Sequence, residues 1–167
     1  MSLPATAAPL LDADQIAFVR GGVSISVATC GSGGLPQLVR GIGCRAADDG
    51  SLFTVFVPEP KSQQIQRDIF ANGAIAVAFT KPSTHRTLQL KSREARVTAL
   101  TPADVALVHA YRDAFVAELA AIGMREELVR TLLAAADEEL VGLSFRPSDA
   151  FTQTPGPKAG QPLKAGE

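Results

Sequence analysis

Apolar and polar positions alternate in short runs along most of the chain, and the period lengthens to that of a helix in a few places. In "VSISVATC", residues 23–30, Val23, Ile25 and Val27 oppose Ser24, Ser26 and Ala28. Side chains of a strand point alternately to its two faces, so this run predicts a half-buried strand. "GSGG" reads as a turn. "LPQLVRGIGCRA" predicts a second strand that closes a hairpin over 23–30 and 35–45. "SLFTVFV" is apolar at both parities, the pattern of a central strand covered on both sides. "AIAVAFT" sorts by size instead, with Ile75, Val77 and Phe79 against Ala74, Ala76 and Ala78. The large face fills a core; the small face admits close approach by a flat ligand or, more commonly, a helix.

Helical signals separate these runs. Asp12 with Gln15 three residues later forms a capping-box pattern before "IAFV", and Gly21 and Gly22 end that helix. "PEPKSQQIQRDIFANG" begins with prolines and stops at Asn72-Gly73. Thr101 and Pro102 open a long helix with Asp104 in its first turn and a stripe of Val105, Val108, Phe115, Leu119 and Ile122. Gly123 breaks it, and a second helix near 125–136 offers Leu128, Val129, Leu132 and Leu133. "EELVGLSFRP" predicts a last strand with Val141, Leu143 and Phe145 inward. From Thr152 the composition turns to Pro, Gly, Lys and Thr, which predicts a mobile tail. The expectation is one domain over 1–151, with a helical insertion at about 101–136 and a flexible tail over 152–167. Hairpin turns make the pairing antiparallel, so the fold class is a β-barrel with helices around it and a helical pair before the last strand.

Composition narrows function. The net charge is −1 and aromatics are 5% of the chain, with no Trp, which argues against a nucleic-acid surface. No apolar run reaches membrane-spanning length, and the N-terminus lacks a secretory pattern. Cys30 and Cys44 sit near opposite ends of the predicted hairpin, tens of Å apart at about 3.3 Å per residue, too far for a disulfide. Reduced cysteines fit a cytoplasmic protein. No His, Cys, Asp or Glu group has metal-ligand spacing, and no catalytic constellation is identifiable. His109, beside the apolar stripe of the long helix, reads as structural or solvated; His85, next to Arg86 at a strand entrance, is placed to line a site, but without a recognisable partner the same structural or solvated reading is favoured.

The basic residues leave two readings open. Arg40 and Arg45 lie on the second strand, Lys61 and Ser62 start the helix after "SLFTVFV", and Arg86 opens the strand "RTLQLKS". Arg86 shares the parity of Leu88 and Leu90, so a guanidinium falls on a face meant for burial. A helix start favours phosphate, and a lysine beside it adds a charge-assisted donor. These groups either converge on one anion or are scattered surface charge.

The stretch from "ISVATCGSGGLPQLVRGIGCR" to "RTLQLKSREARV" resembles the flavin-binding split-barrel family typified by pyridoxamine 5′-phosphate oxidase. The resemblance spans about residues 15–100. Its elements are Gly34-Leu35-Pro36 in the hairpin turn, Arg40 followed five positions later by Arg45, the pair Thr54-Val55, Lys61 and Ser62 at a helix start, and Arg86-Thr87 with Gln89. Arg45 stands where the family has Lys, Pro60 where it has Arg, and Thr87 where it has Gln. The resemblance implies an antiparallel split barrel and a homodimer with FMN in the cleft between subunits. It assigns cofactor contacts to Arg40, Arg45, Thr54, Val55, Lys61, Ser62, Arg86, Thr87 and Gln89. Another flavin, a deazaflavin or haem are the alternative cofactors. The family's Trp and Arg-Leu-x-Pro substrate element is absent, which implies a different small-molecule substrate for a flavin-dependent oxidoreductase, or a non-catalytic binding module. The helical pair would wall the substrate side, with Tyr111 or Arg112 reaching toward the cleft.

Overall fold

The computed structural model describes residues 10–163. The elements are α1 (Ala13–Val19), β1 (Ser24–Cys30), β2 (Pro36–Gly41), β3 (Cys44–Ala46), β4 (Phe53–Pro58), α2 (Glu59–Asn72), β5 (Ile75–Thr80), β6 (Thr87–Ser92), β7 (Arg96–Thr98), α3 (Pro102–Ala120), α4 (Glu126–Leu132), β8 (Leu140–Phe145) and β9 (Asp149–Thr152). They form two antiparallel sheets, ordered β2-β1-β5-β6-β9 and β3-β4-β8-β7. Inward residues of both sheets, including Ile25, Val27, Val77, Phe79 and Leu90 from one and Phe53, Val55, Leu143 and Phe145 from the other, are buried in one core.

The predicted second strand is two strands in different sheets. β2 pairs with β1, whereas β3 pairs with β4. The crossing is made at Gly41-Ile42-Gly43. A Cβ at Gly41 would lie 2.6 Å from Ile25 Cγ2 and 2.8 Å from Val55 Cγ1, so only glycine lets the sheets meet there. Gly43, at φ 145°, adopts a conformation that L side chains rarely take. The Phe56 carbonyl accepts from Ile42 N and the Gly43 carbonyl from Phe56 N, which lays the end of β2 beside β4.

Helix boundaries follow the local signals. Asp12 and Thr101 both cap through complete capping boxes, with Gln15 and Asp104 as the reciprocal partners. α2 ends at Gly73 in the left-handed conformation, φ 66°. Its apolar side, Ile65 and Ile69, closes the barrel, and buried Asp68 accepts from Thr29 Oγ1 at 2.7 Å. The buried stripe of α3 is Val108, Tyr111, Phe115 and Leu119, with Asp104 at its start; Val105 is half-buried and Ile122 is exposed.

Two strands, not one, follow the helical pair, because β9 forms at Asp149–Thr152 and pairs with β6. The expected tail is therefore tied down through residue 163. Gln153 N donates to Thr87 O, Gly160 N to Thr152 O, and Leu163 N to Ala150 O, while Leu163 packs against the core.

Candidate functional site

The outward side of the five-stranded sheet is built of aligned rows, because in-register antiparallel strands place opposing residues on the same face. One row reads Arg40, Ser26, Ala78, Gln89, Phe151. The next reads Leu38, Ala28, Ala76, Lys91, Asp149. A third carries Ser24, Thr80 and Thr87. The two middle strands thus supply only short side chains, with longer ones at both margins. All these short residues remain half-exposed, since α2 meets β1 from the core side through Thr29. Arg40 Nη1 donates to Ser24 Oγ at 3.0 Å, Gln153 Nε2 to Gln89 Oε1 at 3.1 Å, and Thr87 Oγ1 to Thr80 Oγ1 at 3.0 Å. The result is a flat polar strip with a guanidinium at one end and an amide at the other.

The other sheet spends the outward polar groups of Arg45, Thr54 and Ser144 internally. Its row is Arg45, Thr54, Ser144, Arg96. Arg45 Nη1 donates to Asp104 Oδ1 at 2.6 Å, and Thr54 Oγ1 to Ser144 Oγ at 3.1 Å. Asp104 Oδ2 in turn accepts from Thr101 N at 2.9 Å, so one carboxylate closes the capping box of α3 and anchors β3. Val55 points into the core and is wholly buried.

The guanidinium of Arg86 has found partners within the chain. His85 takes φ 59°, which breaks the strand alternation just before β6. Arg86 Nη2 then reaches Asp14 of α1 at 2.8 Å, with its guanidinium carbon 4.5 Å from the centre of the Phe18 ring. Arg86 thus makes an ion pair and a cation–π contact within the chain. Ser62 is also turned inward: buried, it donates to Pro58 O at 2.9 Å, a back-bond within the first turn of α2. Lys61, by contrast, is exposed and makes no ion pair among the described residues. It lies in the first turn of a helix that packs against β2, the strand of Arg40.

Tyr111 is buried, stacks on Phe115 at 5.6 Å and donates to Val23 O at 2.8 Å. Burial pushes its phenol well above the usual range, against the opposing charge of Arg40. Arg112 donates to Ala135 O at 2.9 Å and binds the segment after α4. The expected reach of either residue toward a cleft is corrected: both fasten the helices to the barrel and to each other.

No protein-family model matches the chain, and no curated protein matches it. Solved structures do. HupZ of Group A Streptococcus is similar at 18% identity and a TM-score of 0.54, over 90% of this chain and 100% of its own. A candidate pyridoxamine 5′-phosphate oxidase of Lactobacillus delbrueckii is similar at 13% identity and a TM-score of 0.52, over 90% and 99%. An F420 reductase is similar at 18% identity and a TM-score of 0.51, over 80% and 93%. The fold is the split barrel of the pyridoxamine 5′-phosphate oxidase-like proteins.

In this split barrel, Arg40, Thr87 and Gln89 share one outward sheet face, and Lys61 begins the helix packed on its edge strand. Arg45 and Thr54 belong to the opposite sheet, Val55 to the core and Arg86 to the α1 contact. Sequence reasoning missed Ser24, Ser26 and Ala78 as the floor of the strip, although the small face of β5 was visible in "AIAVAFT". It also missed Asp14 and Asp104, whose partners lie 72 and 59 positions away. Among the described residues no cluster of His, Cys, Asp and Glu is placed to hold a metal, and no helix is long and apolar enough to cross a membrane.

Proposed function

We propose that this split barrel binds FMN on the outward face of its five-stranded sheet and acts as a flavin-dependent oxidoreductase on a small molecule. The observation that carries this reading is the half-exposed strip of short side chains between Arg40 and Gln89. A flat ring system can lie on Ser26 and Ala78, where a larger side chain would hold it off. Gln89 keeps its amide N–H groups for a polar ring edge, since Gln153 uses only the carbonyl oxygen. Arg40, which spends one N–H on Ser24, and exposed Lys61 meet the phosphate, and the start of α2 contributes its positive dipole end. A bound flavin supplies hydride and electron transfer; the protein orients it and limits water. The names of two similar structures, an F420 reductase and a candidate oxidase, support a redox role.

A second copy of the chain fits the same reading. Leu35 and Leu38 on the β1–β2 hairpin are 73% and 72% exposed, beside a sheet face that no helix among the described residues covers. Large apolar side chains grouped next to an open face favour association. Light scattering at micromolar concentration should give a dimer, with a monomer contradicting this part.

The visible spectrum of the purified protein, followed by titration with FMN, tests the cofactor. A two-banded flavin spectrum, bleached by a nicotinamide donor and restored by an acceptor, supports the oxidoreductase. A Soret band would replace flavin by haem, and a bound flavin that no donor reduces would leave a binding module.

A further inference from the structure

At the end of the five-stranded sheet nearest the β1–β2 turn, a trough of about 370 Å³ opens on its outward side. Ala28, Ala74 and Ala76 line it, so its base is flat and apolar. Cys30 and Pro36 stand on one side, and Lys91 and Arg93 on the other. The register explains the shape: Cys30 pairs with Pro36, Ala28 with Ala76, and Ala76 with Lys91, so three short residues separate two walls of longer ones. Lys91 and Arg93 are both exposed, and neither forms an ion pair among the described residues. Lys91 instead rests its ammonium 5.0 Å from the centre of the Phe151 ring. The one carboxylate in the lining, Asp149, is engaged by Ser148 Oγ at 2.7 Å.

We propose that this trough is a binding site for a small, planar, aromatic anion. The volume suits one such molecule, which falls at the lower end of ordinary ligand pockets. Its ring lies on the alanine base, and its carboxylate or other acidic group meets Lys91 and Arg93, where an arginine can donate two parallel hydrogen bonds. Charge selects anion over cation, and the flat base selects planar over branched. The site uses the row beyond the strip assigned to flavin and does not depend on flavin being bound.

Cys30 provides a reporter. Its thiol is exposed in the wall of the trough, whereas Cys44 is buried and its thiol is pushed up to about 12 by that burial. A disulfide reagent therefore reads one cysteine at neutral pH. The test uses the full chain with 2-naphthoate and its neutral counterpart 2-naphthylmethanol, measured by calorimetry and by protection of Cys30. Saturable 2-naphthoate binding is expected, with the alcohol at least tenfold weaker and Cys30 modified at least fivefold more slowly in the complex. Ala76→Leu should abolish binding, and Arg93→Gln should weaken it about tenfold; both side chains face outward, and thermal melts check that the fold is kept. Equal affinity for acid and alcohol, no saturable binding, or binding untouched by Ala76→Leu would each overturn the proposal. So would a dimer that excludes 2-naphthoate and falls apart on Ala76→Leu, because a second copy would then fill the trough.

Discussion

The outward faces of the two sheets carry similar polar residues and put them to opposite uses. On the four-stranded sheet, Arg45 and Thr54 sit under the start of α3 and both find acceptors in the same chain, while Arg96 at the far end of that row is exposed. Phe56, on the same side, is buried where α3 crosses. On the five-stranded sheet, Arg40, Gln89 and Lys91 border short residues that no helix among the described residues covers. The arginines alone do not separate the two. What separates them is the size of the neighbouring side chains and the place of the carboxylate: buried Asp104 pairs with Arg45 on one face, whereas Asp149 on the other is exposed at the sheet edge and forms no ion pair among the described residues. A face whose polar groups are already paired is scaffold, and a face with free donors over a flat floor is a place for a ligand.

Paired substitutions on the two faces put that contrast at risk. The largest effect should come from Phe56→Ala, which removes a buried ring beneath α3 and should cost about 3–5 kcal/mol in denaturant unfolding. Ala78→Leu, on the open face, should shift stability by no more than about 0.5 kcal/mol. If both destabilise equally, the open face is covered by something within the chain. Lys61→Ala should leave unfolding unchanged and weaken FMN binding by about 1.5–3 kcal/mol, the worth of a charged hydrogen bond. Unaltered FMN affinity would remove Lys61 from the phosphate contact. Asp104→Ala should cost about 1–2 kcal/mol of stability through the lost capping box and the freed Arg45, with FMN affinity preserved. A loss of FMN binding larger than the loss of stability would return Arg45 to the cofactor site.

The smallest effect concerns acid. Glu118 holds the turn before β6 by accepting from Ser83 N at 2.9 Å, with Lys81 at 3.9 Å. Partial burial works to raise its pKa, but the Ser83 hydrogen bonds and Lys81 outweigh it and set the carboxyl below its usual value. A lowered folded-state value means stabilisation that is complete above the unfolded value and lost as pH falls through the folded one. Stability should therefore decline below the ordinary carboxyl value of 4.5, and Glu118→Gln should flatten part of that decline. Identical acid limbs for the two proteins in thermal melts would contradict the assignment.

Local signals were legible in the residues, and tertiary ones were not. The capping box at Asp12, the cap at Thr101 and the stop at Gly73 each depend on a few consecutive residues, and each forms as read, Thr101 gaining a reciprocal bond to Asp104 as well. The small face of "AIAVAFT" allowed a flat ligand or, more commonly, a helix, and no helix covers it among the described residues. Arg86 looked like an anion ligand because its parity was unambiguous while its partner, Asp14, is remote in sequence. Arg45 likewise pairs with an acidic residue remote in sequence, Asp104. Periodicity carried "LPQLVRGIGCRA" through as one strand, although two glycines flanking Ile42 are the signature of a close backbone approach. The segment after Thr152 has no period at all, so composition alone suggested a tail. Its single apolar anchor, Leu163, is enough to fold it against β9.

The central claim is that the strip between Arg40 and Gln89 is a flavin platform, and FMN titration of Ala78→Leu beside the wild-type chain tests it most directly. Quenching of FMN fluorescence should saturate with the wild-type protein. The leucine should raise the dissociation constant at least tenfold while the thermal melt stays where it was. Equal quenching by both proteins, or no saturable quenching by the wild type, would contradict the account.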